Sequence, residues 1–216
     1  MSLILNIETS SKNCSVSISQ NGSLLCNFDH EEEKFRHSEL LTGSIKNLLD
    51  QNNLSVKDLS SVAIGVGPGS FTGLRIGFSV AKGLCFPYNT NLIGLSSLKI
   101  LANSVKKKDG NILSLINDKG KTFYNSVFDK SLNELQPPSI KIIDDKFLKS
   151  LDNISTIVVN DELSFKYLES IITSENIQKQ TISSLKMIDL SYNRFLAKKF
   201  EDIAYFEPLY VKKPYV

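Results

Sequence analysis

The sequence predicts a mixed α/β protein in two parts, and three observations carry that reading. Three β-prone runs open the chain in close succession, separated by turn residues rather than by helices. Apolar runs of strand length then alternate with stretches of helical period up to about residue 104. Beyond the polar break Lys106-Lys107-Lys108-Asp109-Gly110, the same mixed character returns in a looser form. The expected division is therefore 1–104 and 105–216, with the second part smaller and degenerate and its last helix able to pack back on the first.

Residues 3–8 form an apolar run, and Ser15-Val16-Ser17-Ile18-Ser19 alternates with period two before Gln20-Asn21-Gly22-Ser23, where Asn-Gly readily supplies the positive φ of a hairpin. Residues 24–29 resume as a third strand, so three antiparallel strands open the protein. From about His37, Leu41, Ile45 and Leu48 share a helical stripe that Gln51-Asn52-Asn53 ends. Residues 61–66 read as a short strand, 72–85 as a second helix, 92–94 as a buried strand and 96–104 as a third helix. In the second half, 111–116, 122–128 and 154–159 read as strands, Pro137-Pro138 as a loop, and 161–172 and 184–200 as helices.

With 41% hydrophobic and 22% charged residues among 216, the chain has the composition of a globular protein. Its charges nearly cancel in both halves, 8 Lys/Arg against 8 Asp/Glu up to residue 104 and 17 against 15 after it. No strong nucleic-acid field follows from that balance. No apolar run approaches the roughly 20 residues that span a bilayer, and the opening Met1-Ser2-Leu3-Ile4-Leu5-Asn6 lacks a basic leader region. Cys14, Cys26 and Cys85 are odd in number without CxxC spacing, and read as buried or partly buried thiols. The expected compartment is the cytoplasm.

The segment Gly67-Pro68-Gly69-Ser70-Phe71-Thr72-Gly73 leads from a strand into a helix N-terminus, where backbone N–H groups and the helix dipole favour anions. Gly67, Gly69, Ser70 and Thr72 are thus candidates for an anion loop. The spacing is neither GxGxxG, which would need glycine at Thr72, nor a Walker A loop, so a structural turn is the alternative. The helix behind the loop carries one polar stripe, Thr72, Arg75, Ser79 and Lys82. It also carries two apolar ones, Leu74, Phe78, Ala81 and Cys85 beside Ile76, Val80 and Leu84. Such a helix is expected to be covered on more than one side. Gly73 and Gly77, one turn apart, leave a shallow groove, and each costs about 1 kcal/mol relative to alanine. Two occupants suit it: a neighbouring helix of this chain, or a partner subunit.

Chemistry-bearing residues are sparse. His30 and His37 form no metal-binding spacing, His30 is expected outside the helix, and His37 reads as a cap or surface residue. Cys85 falls on an apolar stripe as an inert thiol. Glu8, after the first strand, is the one acidic residue placed where strand-end chemistry could occur. None of the 11 glycines lies after Gly120, so the second half lacks the usual means of approaching a phosphate closely. An autonomous ATP-dependent kinase or a glycoprotease-like hydrolase is the alternative to a non-catalytic subunit.

Leu5-Asn6-Ile7-Glu8-Thr9-Ser10, Arg36-His37-Ser38-Glu39-Leu40-Leu41 and the run from Gly67 to Gly77 with Ala81-Lys82-Gly83-Leu84 together resemble the TsaB (YeaZ) family through about Leu98. The second half is similar more weakly: Asn117-Asp118-Lys119 and Asn160-Asp161-Glu162 stand where many members carry Asp-Ala-Arg and Gly-Asp-Gly. The ending from Glu207 to Pro214 is close to the family's terminus. The resemblance implies a two-domain actin-like, Hsp70-like (ASKHA) fold with ribonuclease H-like halves and no catalytic site of its own. It implies a TsaD-like catalytic partner, a TsaE-like ATPase, a homodimer when isolated, and tRNA contacted only within the complex. No cofactor is expected on this chain alone; ATP and a metal ion are implied for the partners. The product implied is threonylcarbamoyladenosine beside the anticodon of tRNAs reading codons that begin with A. The partner interface is expected at His37, Leu41, Ile45 and Leu48 of the first helix and at Gly73, Arg75, Ile76, Gly77, Val80, Ala81, Lys82 and Leu84 of the second.

Overall fold

In the computed structural model, which describes residues 2–31, 37–106, 109–151, 153–172 and 176–212, strand β1 (Leu3–Glu8) is the middle of a five-stranded sheet. All six of its residues are buried, as expected of an apolar run covered on both faces. β2 (Asn13–Gln20) and β3 (Ser23–Glu31) continue it as an antiparallel meander, turning at Asn21 and Gly22, both at positive φ. On the other side β4 (Ser61–Gly65) and β5 (Asn91–Leu95) add in parallel, giving the order β3-β2-β1-β4-β5. Helices α1 (His37–Gln51) and α2 (Phe71–Cys85) make the crossovers, as their apolar periodicity requires.

Strands β6 (Asn111–Lys119), β7 (Thr122–Phe128), β8 (Glu134–Ile142), β9 (Ile154–Val159) and β10 (Ile177–Lys179) form the second sheet, in the order β10-β9-β6-β7-β8. The pairings repeat those of the first: two antiparallel neighbours on one side of the middle strand, two parallel ones on the other. Two mixed sheets of one topology are the actin-like architecture with ribonuclease H-like halves. Its core gathers Leu113, Leu115, Phe123, Val127, Ile157 and Leu168, apart from the cluster around Ile7, Val16, Leu41, Ile64 and Ala81 in the first sheet.

The division of the chain differs from the expected one. The first unit runs to Ser96 and regains Ile182–Leu209; the second holds Ser97–Thr181 and the chain from Tyr210. Helix α3 (Ser97–Asn103) therefore belongs with the second sheet, where it packs on β6, β7 and β9 and the Ser114 hydroxyl donates to the Leu98 carbonyl at 2.8 Å. The last helix, α6 (Ile188–Leu196), packs on β1 and β5 of the first unit. It is shorter than the expected 184–200, because Ser184–Met187 forms a separate 3-10 turn. That turn covers β2: Ser15, Ser17 and Ser19 are fully buried, and the Ser184 amide donates to the Ser15 hydroxyl at 2.7 Å.

The second half also holds three elements the sequence reading passed over. These are β8, written off as a loop at Pro137-Pro138, the short α4 (Asp145–Lys149) and β10. Helix α5 (Glu162–Ile171) lies where expected. Met1, Arg36, Lys107, Lys108 and Pro214, named in the segments above, lie outside the described residues.

Candidate functional site: the glycine loop and the helix face behind it

β1 and β4 run parallel with Ile7 beside Ile64, so the turns that leave them emerge side by side. Glu8, at the end of β1, is fully buried, its carboxylate accepting the Ser10 amide at 2.6 Å and lying over Gly65, where a Cβ would strike it. The Glu8 carboxylate is thus drawn into its own turn.

The loop after β4 is stitched to that turn. The Ser70 amide donates to the Ser10 carbonyl at 2.7 Å, and the Ser70 hydroxyl caps α2 by accepting from the Gly73 amide at 3.2 Å. The Leu74 amide donates to the Ser70 carbonyl at 2.9 Å. Val66 is bonded on both sides, its amide to Leu95 and its carbonyl to Leu209, each at 2.8 Å. The backbone donors of Ser70, Gly73 and Leu74 therefore point into the protein, and Gly67, at φ +96°, shapes a turn. Of the anion-loop candidates, Thr72 is exposed, Gly69 and Ser70 are half-buried and Gly67 is buried.

The groove of Gly73 and Gly77 has an occupant that neither expected reading named. A Cβ on Gly73 would collide with the Thr9 carbonyl, and one on Gly77 with the Thr9 hydroxyl; that hydroxyl donates to the Gly73 carbonyl at 2.9 Å. The β1–β2 turn of the same chain fills the groove. His37, expected as a cap or surface residue, starts α1 and is buried against the same junction, with Nε2 donating to the Ser11 carbonyl at 2.8 Å. Burial holds its pKa below the ordinary 6.5, with the Ser11 bond opposing, so the ring is neutral near pH 7.

Seven of the twelve expected interface residues are thereby covered within the chain. His37, Leu41, Ile45, Leu48, Gly73, Gly77 and Ala81 are buried, with Leu41, Ile45, Leu48 and Ala81 in the first unit's core. Ile76, Val80 and Leu84 are half-buried, and Arg75 is exposed, its guanidinium 3.9 Å over the Phe71 ring. Lys82 reaches the Ala204 carbonyl at 3.3 Å. What α2 presents outward is a row of Thr72, Ile76, Ser79, Val80 and Gly83, and α1, packed beside it, presents Thr42, Gly43 and Lys46. Ser79 was read only as part of a polar stripe, and Gly43 and Gly83 were passed over. At both glycines a Cβ would meet nothing within 4 Å. A helix apolar around most of its circumference gives no sequence signal for which stripe faces inward. Beyond its C-terminal end lies an open concavity of about 780 Å³ between Lys82, Phe86 and Asp202, with Phe86 80% exposed at its edge.

Elsewhere the chemistry-bearing side chains are structural. Cys85 and Cys14 are buried, their thiols pushed up to about 12 and about 11, for Cys14 by burial and then by the charge of Asp29. In the second unit Asp118 accepts from the Tyr124 hydroxyl at 3.1 Å and from Lys212 at 2.9 Å, while Asp161 caps α5 through the Ser164 amide at 2.9 Å. Asp118 and Asp161 of the two divergent motifs are thus taken up in a hairpin and a helix cap.

The family model of TsaD, described as tRNA N6-adenosine threonylcarbamoyltransferase, matches residues 31–149, more than half of the chain. The chain belongs to this family, in its TsaB/YeaZ branch. It is similar to the tRNA threonylcarbamoyladenosine biosynthesis protein TsaB of Escherichia coli, 33% identical over 107 residues, 50% of this chain and 46% of that protein. The TsaB of Buchnera aphidicola from Acyrthosiphon pisum is 31% identical over 135 residues, 62% of this chain and 60% of that protein. The similarity thus spans about half the length of these curated relatives. The fold is shared with YeaZ from Pseudomonas aeruginosa, with a TM-score of 0.83 at 19% identity, covering 97% of this chain and 100% of that one. The match through the glycine loop and α2 falls on the stretch that the first unit's geometry singles out.

Proposed function

We propose that this TsaB-family chain is a non-catalytic scaffold and activating subunit of the cytoplasmic complex that forms threonylcarbamoyladenosine beside the anticodon of tRNAs reading codons that begin with A. It binds a TsaD-like catalytic subunit through the outward face of α1 and α2, and a TsaE-like ATPase joins the pair. ATP and metal chemistry belong to those partners. The observation that carries the reading is the row Thr72, Ile76, Ser79, Val80 and Gly83 beside Gly43. Half-buried aliphatics alternate there with small residues, so a helix of similar character can pack at close range. Membership of the same family as the transferase supports a pseudosymmetric pairing, because a related fold can offer the matching two helices. The buried His37, Leu41, Ile45 and Leu48 support that face from within.

The test is to mix the pure chain with the TsaD of the same organism and measure mass by light scattering. A 1:1 heterodimer is expected, and it is lost in Ser79→Arg, which places a long charged side chain on the outward row. Absence of a heterodimer with the unaltered chain sinks the proposal. Tight magnesium-ATP binding by the isolated chain in a calorimeter would favour the autonomous kinase.

A further inference from the structure

The alternation Ser15-Val16-Ser17-Ile18-Ser19 has the period of a half-solvated strand, yet all three serines are fully buried. Val16 and Ile18 belong to the core that α1 and α2 cover, so the serines lie on the opposite side of the sheet. That side is roofed within the first unit by the 3-10 turn Ser184–Met187, which packs on β1 and β2, and by α6. Where the turn crosses β2 it lies over hydroxyls rather than apolar side chains.

Such a roof must bond what it covers, because a buried polar atom without a partner is costly. At Ser15 it does. The Ser15 hydroxyl accepts from the Ser184 amide at 2.7 Å and donates to the Ser184 hydroxyl at 2.8 Å. Two residues along β2, Ser17 pairs with Asn6 of β1, and both are fully buried. Among the described residues neither Asn6 Oδ1 nor Ser17 Oγ has a hydrogen-bond partner. Asn6 Nδ2 donates to the Ser19 hydroxyl at 3.4 Å, which leaves Oδ1 as the open end of the carboxamide. On its other flank Asn6 pairs with Ala63 of β4, so only small side chains stand beside it. Directly opposed residues hold their Cβ atoms roughly 4.5–5.5 Å apart, a separation at which one molecule can touch both polar ends.

We propose that an ordered water is an integral part of this junction, donating to Asn6 Oδ1 and bonded to Ser17 Oγ beneath the turn. The chemistry selects the ligand. A carboxamide oxygen only accepts, so the occupant must donate, while a hydroxyl does either. Asn6, Ser17 and Ala63 are uncharged, and Glu8, on the same face of β1, turns its carboxylate to the Ser10 amide and Gly65. A buried water typically makes about three hydrogen bonds. The two orphaned atoms supply two, and Ser19, whose bonds to Asn6 and to the Ile4 carbonyl are long at 3.4 and 3.5 Å, can supply the third. The site lies on the sheet face away from α1 and α2 and stands independently of the function proposed for those helices.

The experiment uses the full chain. A crystal structure at a resolution that shows ordered solvent is expected to place one water about 2.7–3.0 Å from both Asn6 Oδ1 and Ser17 Oγ. Ser17→Ala removes one of its partners and should lower the melting temperature by about 2–4 °C. If the hydroxyl bonded no water, deleting it would relieve an orphan and raise the melting temperature instead. Oxygen-17 relaxation dispersion of the solvent should count one long-lived water fewer in the double variant Asn6→Leu/Ser17→Ala than in the unaltered chain. Direct contact between Asn6 and Ser17, a shell of about six oxygens such as a cation takes, an unchanged or raised melting temperature in Ser17→Ala, or an equal count of long-lived waters would each overturn the site.

Discussion

The two sheets have the same strand order and the same pairing directions, yet their turns are built by different means. In the first unit, glycines let backbone pass close to backbone: the β1–β2 turn lies in the groove of α2 and the Glu8 carboxylate lies over Gly65. In the second, side chains do the work, with Asp161 and Asp144 capping helices and Asn117 bracing the β6–β7 hairpin. Close approach makes the first unit's helix–turn junction rigid and intolerant of added atoms. Capping leaves the second unit's turns tolerant of added atoms.

The sharpest way to break that comparison is to add a charge on either side of α2. Ala81 is wholly buried in the first core, so Ala81→Arg must desolvate a guanidinium and is expected to cost about 4 kcal/mol or more, leaving little soluble protein. Ser79→Arg, two residues away and exposed, should melt within about 0.5 kcal/mol of the unaltered chain. Thermal melts of the pair decide it: an Ala81→Arg variant that melts normally would mean that α2 turns its other side inward.

A smaller effect separates the two kinds of turn. Gly73→Ala pushes a methyl into the Thr9 carbonyl, a backbone atom that cannot rotate away, and should destabilise by about 2–3 kcal/mol. Gly120→Ala, in the β6–β7 hairpin of the second unit, meets nothing within 4 Å. It should lose only about 1 kcal/mol, from its φ of +59°. Urea melts giving equal losses would erase the distinction between close-packed and capped turns.

How much of this was legible in the sequence follows the same line. Strands and helices that bury their own periodic stripes, such as β7, β9, α1 and α2, could be read from local pattern alone. β8 could not, because Pro137-Pro138 reads as a break unless the strand is already known to lie at an edge. The occupant of the Gly73–Gly77 groove was equally hidden. Thr9 is 64 residues from Gly73, and no local rule connects a strand-end turn with a helix that far along the chain. The polar stripe of α2 was legible as a stripe, and its Arg75 and Ser79 are exposed. The interface residues drawn from the first apolar stripe and the glycine pair turned out to be core, since sequence alone does not say which side of such a helix the sheet takes.

The least of the expected effects is a pH dependence confined to one unit. Both histidines lie in the first unit, and His37 is buried at the junction of α1 with the β1–β2 turn. Its folded pKa is depressed by burial below the ordinary 6.5, so in the window just below 6.5 the unfolded chain binds a proton that the folded chain refuses. Stability from this group is therefore complete above 6.5 and is lost as the pH falls through 6.5 toward the lowered folded value. Protonation also requires the Nδ1 side of the ring to carry a charge inside the junction while Nε2 holds the Ser11 carbonyl. On acidification from pH 7.5 to 5.5, amide hydrogen exchange relative to the intrinsic rate at each pH should accelerate first in α1 and in residues 9–12, with the protection of the β6–β9 amides unchanged. His37→Gln, which keeps a donor toward Ser11 but cannot titrate, should flatten the response. Acceleration that begins in the second sheet, or that survives His37→Gln, would move the sensitive group elsewhere.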